Sequence, residues 1–591
     1  SSTPSLTLAG DFPAYDKTHW LKAAEKALGG RDPAKALTAL SDDGMAIKAL
    51  YTASDVSVAA DTLPGFAPYV RGAQPARQGW DIAQAVGLSD PSAANAAILA
   101  DLEGGATAVR LALDLGLTGD GGVAIATLED LDRTLAGVYL DLAPVHLDAG
   151  AQSVPAAALM TALWRRRGIA PDNALGAFNA DPLGTLARHG QLPQSVDAAL
   201  EDAAALASEA ADRFAHVTAL AIDTEVYHAA GATEGQELAA MLATGVAYLR
   251  RLEAAGMDPS RGVRQIAVTL SADTDVYLTI AKMRAARRLW ARVMQACGDQ
   301  DGLPGIGAQT ATRMQTQRDP WGNILRGTLA GFAAAIGGAD WITIAPHDAA
   351  LTGGAAPLAR RIARNIHIIL AEESRLGQVI DPAGGAWAFE ALTEALAETA
   401  WREFQSIEAS GGMVSALNRG LIQSRIAESR AERQRRVASR KRPITGVSEF
   451  AQLDETLPAD ETADPAAVLE AARQRAEAAR GGDAHMAGDR FDDLVQAAGD
   501  GAPVTALARG GAPRAAVTAL KPHRLAAPYE ALRDRADALA QKRGRRPAVY
   551  LACLGPLADH SARATWLRNM LAAGGIDAVQ VDGMNDAAAL A

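Results

Sequence analysis

Cysteine is scarce in this sequence, which contains only Cys297 and Cys553. The two lie far apart and outside any CxxC or Cys/His spacing, so the sequence predicts neither a disulfide framework nor a structural zinc site. Long apolar runs are missing too, because no stretch reaches the about 18 residues of a membrane span. The start, SSTPSLTLAGDF, lacks the basic and apolar parts of a signal peptide. We therefore expect a protein of the reducing cytoplasm that neither spans a membrane nor is exported.

An excess of positive charge is also lacking. Lys and Arg number 57 against 69 Asp and Glu, which gives a net charge of −12 and opposes sequence-independent attraction to nucleic acids or anionic lipids. One basic run lies among glutamates on a helical pattern, without aromatic residues nearby. We interpret this run as a solvated helix or a subunit contact; its members are Arg433, Arg435, Arg436, Arg440, Lys441 and Arg442.

Apolar residues are abundant, at 49% of the 591 positions, with 21% charged residues and a mean hydropathy near zero. A disordered chain would contain fewer apolar side chains, so the composition predicts a soluble globular protein. At about 100–200 residues per domain, the length allows two to four folded units. One large barrel with a smaller module would fit.

Short apolar runs alternate with longer segments of helical period between about residues 65 and 410. This alternation is typical of βα units around a parallel sheet. Helical segments such as Glu237–Ala254 and Thr279–Ala296 follow most of the runs, so we predict a (β/α)8 barrel with loop insertions. The eight strand candidates are Ala67–Gly72, Ala108–Asp114, Gly137–Leu142, Leu175–Ala180, Val217–Asp223, Arg264–Leu270, Gly305–Ala311 and Trp341–Pro346.

The segments on either side of the predicted barrel differ from it in composition. Residues 1–64 are predicted to form an N-terminal arm, with one amphipathic helix at about Thr18–Leu28, that packs on the barrel or reaches a partner. After the barrel of residues 65–410, residues 411–545 are predicted to form a helical and extended linker. This linker opens with a charged helix at about Val414–Lys441.

Residues 546–591 begin with the strand-like run RPAVYLACLG, continue as a helix to about Ala573 and end with the strand-like run IDAVQVDG. This βαβ beginning resembles a flavodoxin-like domain. A full five-stranded sheet would need more sequence, so we expect an incomplete domain that is either vestigial or truncated.

Five ordered blocks in the second half of the predicted barrel resemble the methylmalonyl-CoA mutase family. They are AGATEGQELAAMLATGVAYLRRL (230–252), KMRAARRLWARVMQACG (282–298), DPWGNILRGTLAGFAAAIGGADWIT (319–343), ARRIARNIHIILAEESRLGQVIDPAGGAWAFE (359–390) and WREFQSIEASGGM (401–413). The resemblance covers about residues 65–450. It implies a substrate-binding (β/α)8 barrel joined by a linker to a flavodoxin-like cobalamin domain, and a radical interconversion of methylmalonyl-CoA and succinyl-CoA. Bacterial members of this family often consist of two homologous chains, of which only one is active, so the resemblance leaves open which of the two this chain is.

Active members of this family carry a W-T-I-R-Q-Y-x-G segment, whose arginine helps to hold the CoA ester and whose tyrosine lies over the radical site. The arginine position here is Ala83 and the tyrosine position is Ala85, within Trp80-Asp81-Ile82-Ala83-Gln84-Ala85-Val86-Gly87. An alanine can neither pair with an anionic phosphate nor cover a reactive carbon. We expect both roles to be lost.

A Tyr-His pair precedes the AGAT block in active members, and its histidine donates to the thioester carbonyl. Here Glu225 and Val226 occupy these positions, and a Tyr-His pair, Tyr227 and His228, follows two residues later. In an extended or irregular loop this shift moves a side chain by roughly 6–7 Å, beyond hydrogen-bonding reach. We therefore expect His228 to replace the missing histidine only if the loop is shortened.

The run after the seventh strand is H-T-Q-T-A-G in active members, with the histidine near the substrate. Here it reads Gly307-Ala308-Gln309-Thr310-Ala311-Thr312, with glycine at the histidine position. We expect Gln309 and Thr310 to pack at the barrel mouth. Further along, we interpret Asp381–Gly385 as inherited loop geometry at the carboxyl end of the barrel, and His347 and Asp348 as structural.

The cobalamin motif of the family, DxHxxG, supplies a histidine that lies below cobalt and is held by the aspartate. Aligned on the glycine that ends the preceding strand, the aspartate, histidine and glycine positions are Leu557, Asp559 and Ala562. Reading from Asp559 instead puts Ser561 at the histidine position. Neither register gives a cobalt ligand, and we interpret His560 as a surface histidine.

The resemblance and these departures together imply the non-catalytic small subunit of a heterodimeric mutase, so we assign no catalytic, cofactor-binding or metal-ligating residue to this chain. The expected partner is the homologous catalytic large subunit, which binds the acyl-CoA and adenosylcobalamin and interconverts (R)-methylmalonyl-CoA and succinyl-CoA. Two alternatives remain: a self-sufficient mutase for another acyl-CoA, and a module that binds CoA without catalysis. Alanine at position 83 disfavours both.

Overall fold

The structure is a computed structural model, and it describes residues 15–56, 62–76, 79–119, 121–299, 302–351, 356–457, 465–480, 490–508 and 515–584. A search of these residues for a membrane span found no helix with the length and apolar character that a crossing requires.

Eight parallel strands form a closed barrel in the centre of the chain. Each of the eight strands pairs with the next, and the last pairs with the first through Trp341 opposite Asp81 and Ile342 opposite Ile82, which closes the barrel. A short strand, Val123–Ala124, adds to the end of the second barrel strand. The predicted (β/α)8 barrel is confirmed. Its strands are β1 Asp81–Val86, β2 Ala108–Asp114, β3 Val145–Asp148, β4 Leu175–Ala180, β5 His216–Asp223, β6 Ile266–Ala272, β7 Gly305–Thr310 and β8 Trp341–Thr343.

Two of the eight strand predictions are wrong. Ala67–Gly72 forms turns, and the first strand of the barrel is β1. The sequence of β1, DIAQAV, gives a weak apolar signal because its inward positions carry small or polar residues. Gly137–Leu142 also forms turns, and its Tyr139 and Leu142 are 74% and 73% exposed, unlike the side chains of a barrel strand. The strand that takes its place is β3.

The helices around the barrel begin at side chains that accept backbone hydrogen bonds. Asp90 accepts from the amides of Ser92 and Ala93, and Thr233 forms a reciprocal capping box with Gln236. The predicted helices after β5 and β6 are confirmed, with slightly earlier starts. The helices are Pro91–Glu103, Leu128–Thr134, Ser153–Arg166, Pro182–His189, Val196–Arg213, Glu225–Ala230, Glu234–Ala254, Pro259–Val263, Val276–Ala296, Gly322–Ile336 and Pro357–Ile368, the last continued by a π-helical turn, Ile369–Glu373.

The N-terminal arm contains the predicted helix, at Lys17–Ala27, followed by a short helix and a two-stranded hairpin, Pro33–Ala36, Ala39–Leu40 and Ala46–Ile47. Asp42 in the hairpin turn accepts hydrogen bonds from Arg433, Arg436 and Arg442 at 2.7–3.1 Å. These three members of the basic run therefore bind the arm of the same chain, and the prediction of a solvated helix or a subunit contact is wrong for them.

The residues after the barrel lie against it over much of their described length. Helix Trp387–Ala409 packs on the helices after β5 and β6, and helix Phe491–Gly499 joins the barrel core through Phe491, Leu494 and Val495. The single charged helix predicted here is two helices, Gly412–Asn418 and Leu421–Ala438, with Gly420 at φ 73° between them. The other helices are Pro465–Arg480, Val504–Leu507 and Ala527–Arg543.

The C-terminal α/β unit consists of β9, Ala548–Leu554, helix Leu557–Ala573, and β10, Asp577–Met584. The two strands are parallel, as the sequence predicted, and Leu551, Cys553 and Ala564 form a small core between sheet and helix. The residue limits given above for the arm, barrel, linker and C-terminal domain stay predictions.

Candidate functional site at the barrel mouth

A cavity of about 660 Å³ lies at the carboxyl ends of the barrel strands. This is the end at which (β/α)8 barrels bind ligands and place reactive groups. Polar side chains from several strands line the cavity, among them Arg110, His146, Asp148, Asn179 and Asp223. Its chemistry therefore depends on which of these groups are available to a ligand.

The inward face of β1 contributes no polar or charged side chain to this cavity at positions 83 and 85. Side chains alternate along a strand, so Ala83 and Ala85 share one face, and Ala83 lines the cavity. The two positions expected to carry an arginine and a tyrosine thus project only a methyl group toward the barrel interior. Neither can donate a hydrogen bond or cover a ligand.

The segment with the displaced Tyr-His pair is a helix, Glu225–Ala230, and the extended geometry assumed from sequence is wrong. Two residues in a helix turn a side chain by about 200° with a rise of about 3 Å. Val226 therefore lines the cavity, whereas His228 is fully buried on the other side of the helix. The carboxylate of Glu225 accepts from the hydroxyl of Ser271 and from the amide of Thr312.

His228 lies in a buried ionic cluster behind the cavity. Its Nε2 is 3.6 Å from Asp273 and 3.8 Å from Glu234, and neither ring nitrogen has a hydrogen-bond partner among the described residues. These three residues are close enough to hold a metal ion. However, Arg313 donates to both carboxylates, at 2.8 and 2.9 Å. Its guanidinium supplies the positive charge that a cation would otherwise bring.

Arg313 also explains the ionisation of this cluster. Burial opposes the charged form of both carboxylates, but Arg313 and His228 hold the pKa of Asp273 below its usual range. The pKa of Glu234 is lowered in the same way by His228, Arg313 and Lys282, against the effect of burial. The cluster is therefore a paired network that fixes the helix carrying His228 to β6.

An aromatic side chain occupies the space where the sequence places the third missing group. A Cβ built on Gly307 would overlap the indole of Trp341, which lines the cavity. The indole is stacked on His146 across the barrel, with ring centroids 6.1 Å apart and planes at 30°. The side chain of β8 thus fills the barrel interior beside the glycine of β7.

The cations that line the cavity are paired with carboxylates. Asp223 lies 3.1 Å from Arg188 and 3.4 Å from Arg110, and it accepts a hydrogen bond from Gln309 at 2.9 Å. Gln309 in turn accepts from Arg110. Gln309 thus joins a network at the barrel mouth, while Thr310 accepts from the amide of Ala345.

Two further groups in the cavity have shifted pKa values. Burial, with a smaller contribution from Arg110, lowers the pKa of His146 to about 4, so the imidazole is neutral at pH 7. Burial raises the pKa of Asp181 to about 6, although Tyr248 and two backbone amides donate to its carboxylate. The His146 imidazole beside the Trp341 indole therefore adds no charge to the cavity at pH 7.

The two loops considered from sequence make structural contacts. The buried His347 is stacked on Trp321 with centroids 4.6 Å apart, and Asp348 accepts from the amide of Ala356. Asp381 binds Arg284. Its loop follows a helix that runs back from β8, and Ala383 in the loop packs with Ile336, the last residue of the helix that precedes β8. This loop is therefore at the amino end of the barrel, and the prediction that placed it at the carboxyl end is wrong.

The C-terminal positions aligned with the cobalamin motif lie at the start of helix Leu557–Ala573. Leu557 is 65% exposed, and Asp559 and Ser561 follow on the first turns. His560 is half-buried with its Nδ1 inside the fold, so it is less accessible than the surface histidine predicted from sequence. Neither position aligned with the cobalt-binding histidine, Asp559 or Ser561, carries a histidine.

Sequence reasoning did not identify Trp341, His146, Arg110 or Asp223 as parts of the site. Trp341 lies in a strand that was predicted, but the sequence does not show that its side chain faces Gly307. His146 lies in the strand that was missed. A signal was present for Arg110 and Asp223, because charged residues inside buried strand patterns are unusual.

A closed parallel barrel with a polar cavity at its carboxyl end and a C-terminal α/β unit is an architecture that houses enzymes. Residues 40–520 of the chain match the family model described as methylmalonyl-CoA mutase. The chain therefore belongs to the methylmalonyl-CoA mutase family.

Related proteins refine this assignment. The chain is 41% identical to the methylmalonyl-CoA mutase small subunit of Streptomyces virginiae, over 99% of this chain and 87% of that protein. It is 34% identical to the small subunit of Propionibacterium freudenreichii subsp. shermanii, over 98% and 83% of the two chains. Identity to the large subunit of Streptomyces virginiae is 30%, over 75% of this chain and 63% of that one. The chain is thus more similar to these small subunits than to that large subunit.

Proposed function

We propose that the chain is the non-catalytic small subunit of a heterodimeric methylmalonyl-CoA mutase of the cytoplasm. Its partner is a homologous large subunit, which binds the acyl-CoA and adenosylcobalamin and interconverts (R)-methylmalonyl-CoA and succinyl-CoA. The names of the relatives support the subunit role. The similarity to a large subunit supports a partner with the same barrel.

The observation that carries the proposal is the position of Trp341. Its indole lies against Gly307, where active members have a histidine near the substrate. A substrate that enters the barrel interior would have to displace this ring from its stack on His146. The barrel is thus filled where the reaction requires an open space and a proton donor.

The remaining groups of the cavity support the same conclusion. Ala83 and Val226 line it at the positions of the arginine and the histidine that active members use. Arg110 and Arg188, the arginines that line the cavity among the described residues, both pair with Asp223. A thioester would therefore meet neither the expected cation nor the expected donor at its carbonyl.

The residues of the C-terminal unit do not fit adenosylcobalamin. A cobalt ligand in this family is an imidazole held by a carboxylate, and the aligned positions offer Leu557, Asp559 and Ser561. Aspartate and serine are poor substitutes, because cobalt prefers nitrogen ligands such as imidazole. We therefore assign the cofactor to the large subunit.

The proposal is tested by expressing the chain alone and together with its large subunit. We expect no turnover and no stoichiometric corrinoid on the isolated chain, and full activity of the pair. Replacing His228 by glutamine should leave the activity of the assembled pair unchanged, because His228 lies behind the cavity. His560→Gln in the isolated chain should not change corrinoid absorbance.

Two results would contradict the proposal. Turnover of any CoA thioester by the isolated chain with added adenosylcobalamin would favour a self-sufficient mutase. A measurable acyl-CoA dissociation constant for the isolated chain, found by titration calorimetry without product formation, would favour a CoA-binding module.

A further inference from the structure

The outer surface of helix Gly322–Ile336 is apolar. Trp321, Leu325 and Leu329 are 50%, 69% and 47% exposed, and their spacing of four residues places them on one stripe. The helix contains one charged residue, Arg326, which turns away to donate to the carbonyl of Thr445 at 2.6 Å. The exposed stripe of this helix is thus made of large apolar side chains.

Another outer helix of the same barrel shows the ordinary pattern. On helix Val196–Arg213 the exposed positions include Asp197, Glu201 and Asp212. Surface helices present polar residues to water, and a helix that is apolar on all sides is normally buried. Helix Gly322–Ile336 therefore has the composition of a helix that is covered in the working protein.

The described residues cover other barrel helices but not this one. Trp387–Ala409 packs over the helices after β5 and β6, and Phe491–Gly499 packs over helix Ser153–Arg166. The neighbouring helix Pro357–Ile368 and the turn that continues it add two exposed residues, Leu358 at 57% and Ile369 at 47%. We call these five residues the outer apolar face: Trp321, Leu325, Leu329, Leu358 and Ile369. Within the described part of the chain, all five stay exposed to solvent.

We propose that the outer apolar face is the surface on which the homologous large subunit docks. This inference rests on the proposed function. Related subunits with the same fold commonly pair about a twofold or near-twofold axis, which brings the same element of each into contact. Ridges of residues four apart, such as 321, 325 and 329, are suited to interdigitate with the equivalent helix of a homologue.

Charge favours a different chain over a second copy of this one. Each copy has a net charge of −12, and two such copies repel each other at long range. The presence of both small and large subunits among the relatives also indicates a pair of different chains. The large subunit is therefore the occupant that these observations favour.

The outer apolar face would be the centre of the interface. Obligate interfaces bury more than about 2,000 Å² in total and have an apolar centre, and tryptophan is among the residues that dominate binding energy there. Polar residues around the face would form the rim. Substitutions in the face should consequently weaken binding far more than substitutions elsewhere on the barrel.

The test uses the full chain with its co-expressed large subunit. Leu325→Glu and Leu329→Glu each place a charge in the outer apolar face, and Ala205→Glu adds the same charge to an exposed position of helix Val196–Arg213. We expect each face variant to raise the dissociation constant of the pair by about 30-fold or more, equivalent to about 2 kcal/mol. The control variant should stay within about 3-fold of the unsubstituted chain.

The thermal midpoint of each isolated variant shows whether it folds, and sedimentation velocity shows whether it self-associates. Face variants that fold but bind the large subunit as well as the control overturn the inference and leave the proposed function intact. Self-association of the isolated chain that disappears in the variants, with pairing unchanged, assigns the face to a second copy and also overturns it. Failure of the unsubstituted chain to bind any large subunit overturns both proposals.

Discussion

At the scale of single residues, one glycine and one tryptophan decide how the barrel interior is used. Gly307 leaves room that Trp341 fills, and His146 completes the stack. Protein interiors are packed as densely as organic crystals, so one methyl group more at this point has a cost. The two residues therefore depend on each other.

Gly307→Ala should destabilise the barrel by about 1–3 kcal/mol, the usual range for overpacking. In a Trp341→Leu background the same substitution should cost much less, because the indole that the Cβ would overlap is gone. Urea unfolding of the two single variants and the double variant measures this coupling.

Gly499→Ala is the matched control, because a Cβ at that position meets no atom within 4 Å. It should be neutral. If Gly307→Ala were equally neutral, the indole would not occupy the position that the structure gives it.

At the scale of elements, the arm is held to the barrel mainly through its hairpin. Helix Lys17–Ala27 has no fully buried residue, so packing contributes little to its attachment. The hairpin holds the arm: Asp43 accepts from a hydroxyl and a backbone amide at the start of the helix after β5, and Asp42 pairs with Arg433, which is 2% exposed. Although burial opposes it, Arg433 and Arg442 lower the pKa of Asp42.

Asp42→Ala should loosen the arm at its hairpin, because it leaves the buried Arg433 without its carboxylate. We expect a loss of about 2–4 kcal/mol, slightly below the cost of breaking a fully buried pair. Limited proteolysis should then cut within residues 15–56 much faster than in the unsubstituted chain. The lowered pKa predicts that this attachment persists at neutral pH and weakens as the pH falls through the acidic range.

Asp172→Ala removes an exposed aspartate from a loop of the barrel and serves as the control. Its cleavage rate should equal that of the unsubstituted chain. Equal rates for Asp42→Ala as well would mean that other contacts hold the arm.

At the scale of the whole molecule, buried acids and bases have opposite effects on stability. Burial lowers the pKa of His367 to about 3, so the folded protein loses stability as the pH falls below the unfolded value of about 6.5. Burial raises the pKa of both Asp43 and Asp181 to about 6, and these groups stabilise the folded protein as the pH falls. The contributions partly cancel between pH 7 and pH 5.

His367→Gln removes the titrating imidazole and should therefore change the pH dependence of stability. Glutamine still offers an acceptor for the indole N–H of Trp80, which lies 3.2 Å from Nδ1 of His367. From pH 7 to pH 5, the unsubstituted chain should lose about 2 kcal/mol more unfolding free energy than the variant. Urea unfolding at both pH values measures the difference. His216→Gln, at an exposed position, should behave like the unsubstituted chain. Identical pH dependence for all three chains would exclude a role for His367.

Strands with strong apolar patterns were found from sequence, and strands that line the barrel interior with small or polar residues were not. β2 and β4 are predicted residue for residue. β1 and β3 were not predicted, because their inward positions carry Ala83 and His146, and these residues interrupt the apolar pattern of a strand. The placement of His228 was also beyond the sequence, since its distance from the cavity depends on whether the chain there is a helix or an extended loop.

The sequence by itself determined the barrel, the family and the positions at which this chain departs from active members, because these follow from local periodicity and from ordered motifs. Tertiary structure alone decided what occupies those positions. Only the formation of the barrel brings Trp341 of β8 beside Gly307 of β7. Only the packing of the described segments shows that Leu325 and Leu329 stay exposed while other barrel helices are covered. Contacts between distant segments depend on packing in three dimensions, which a linear pattern does not encode.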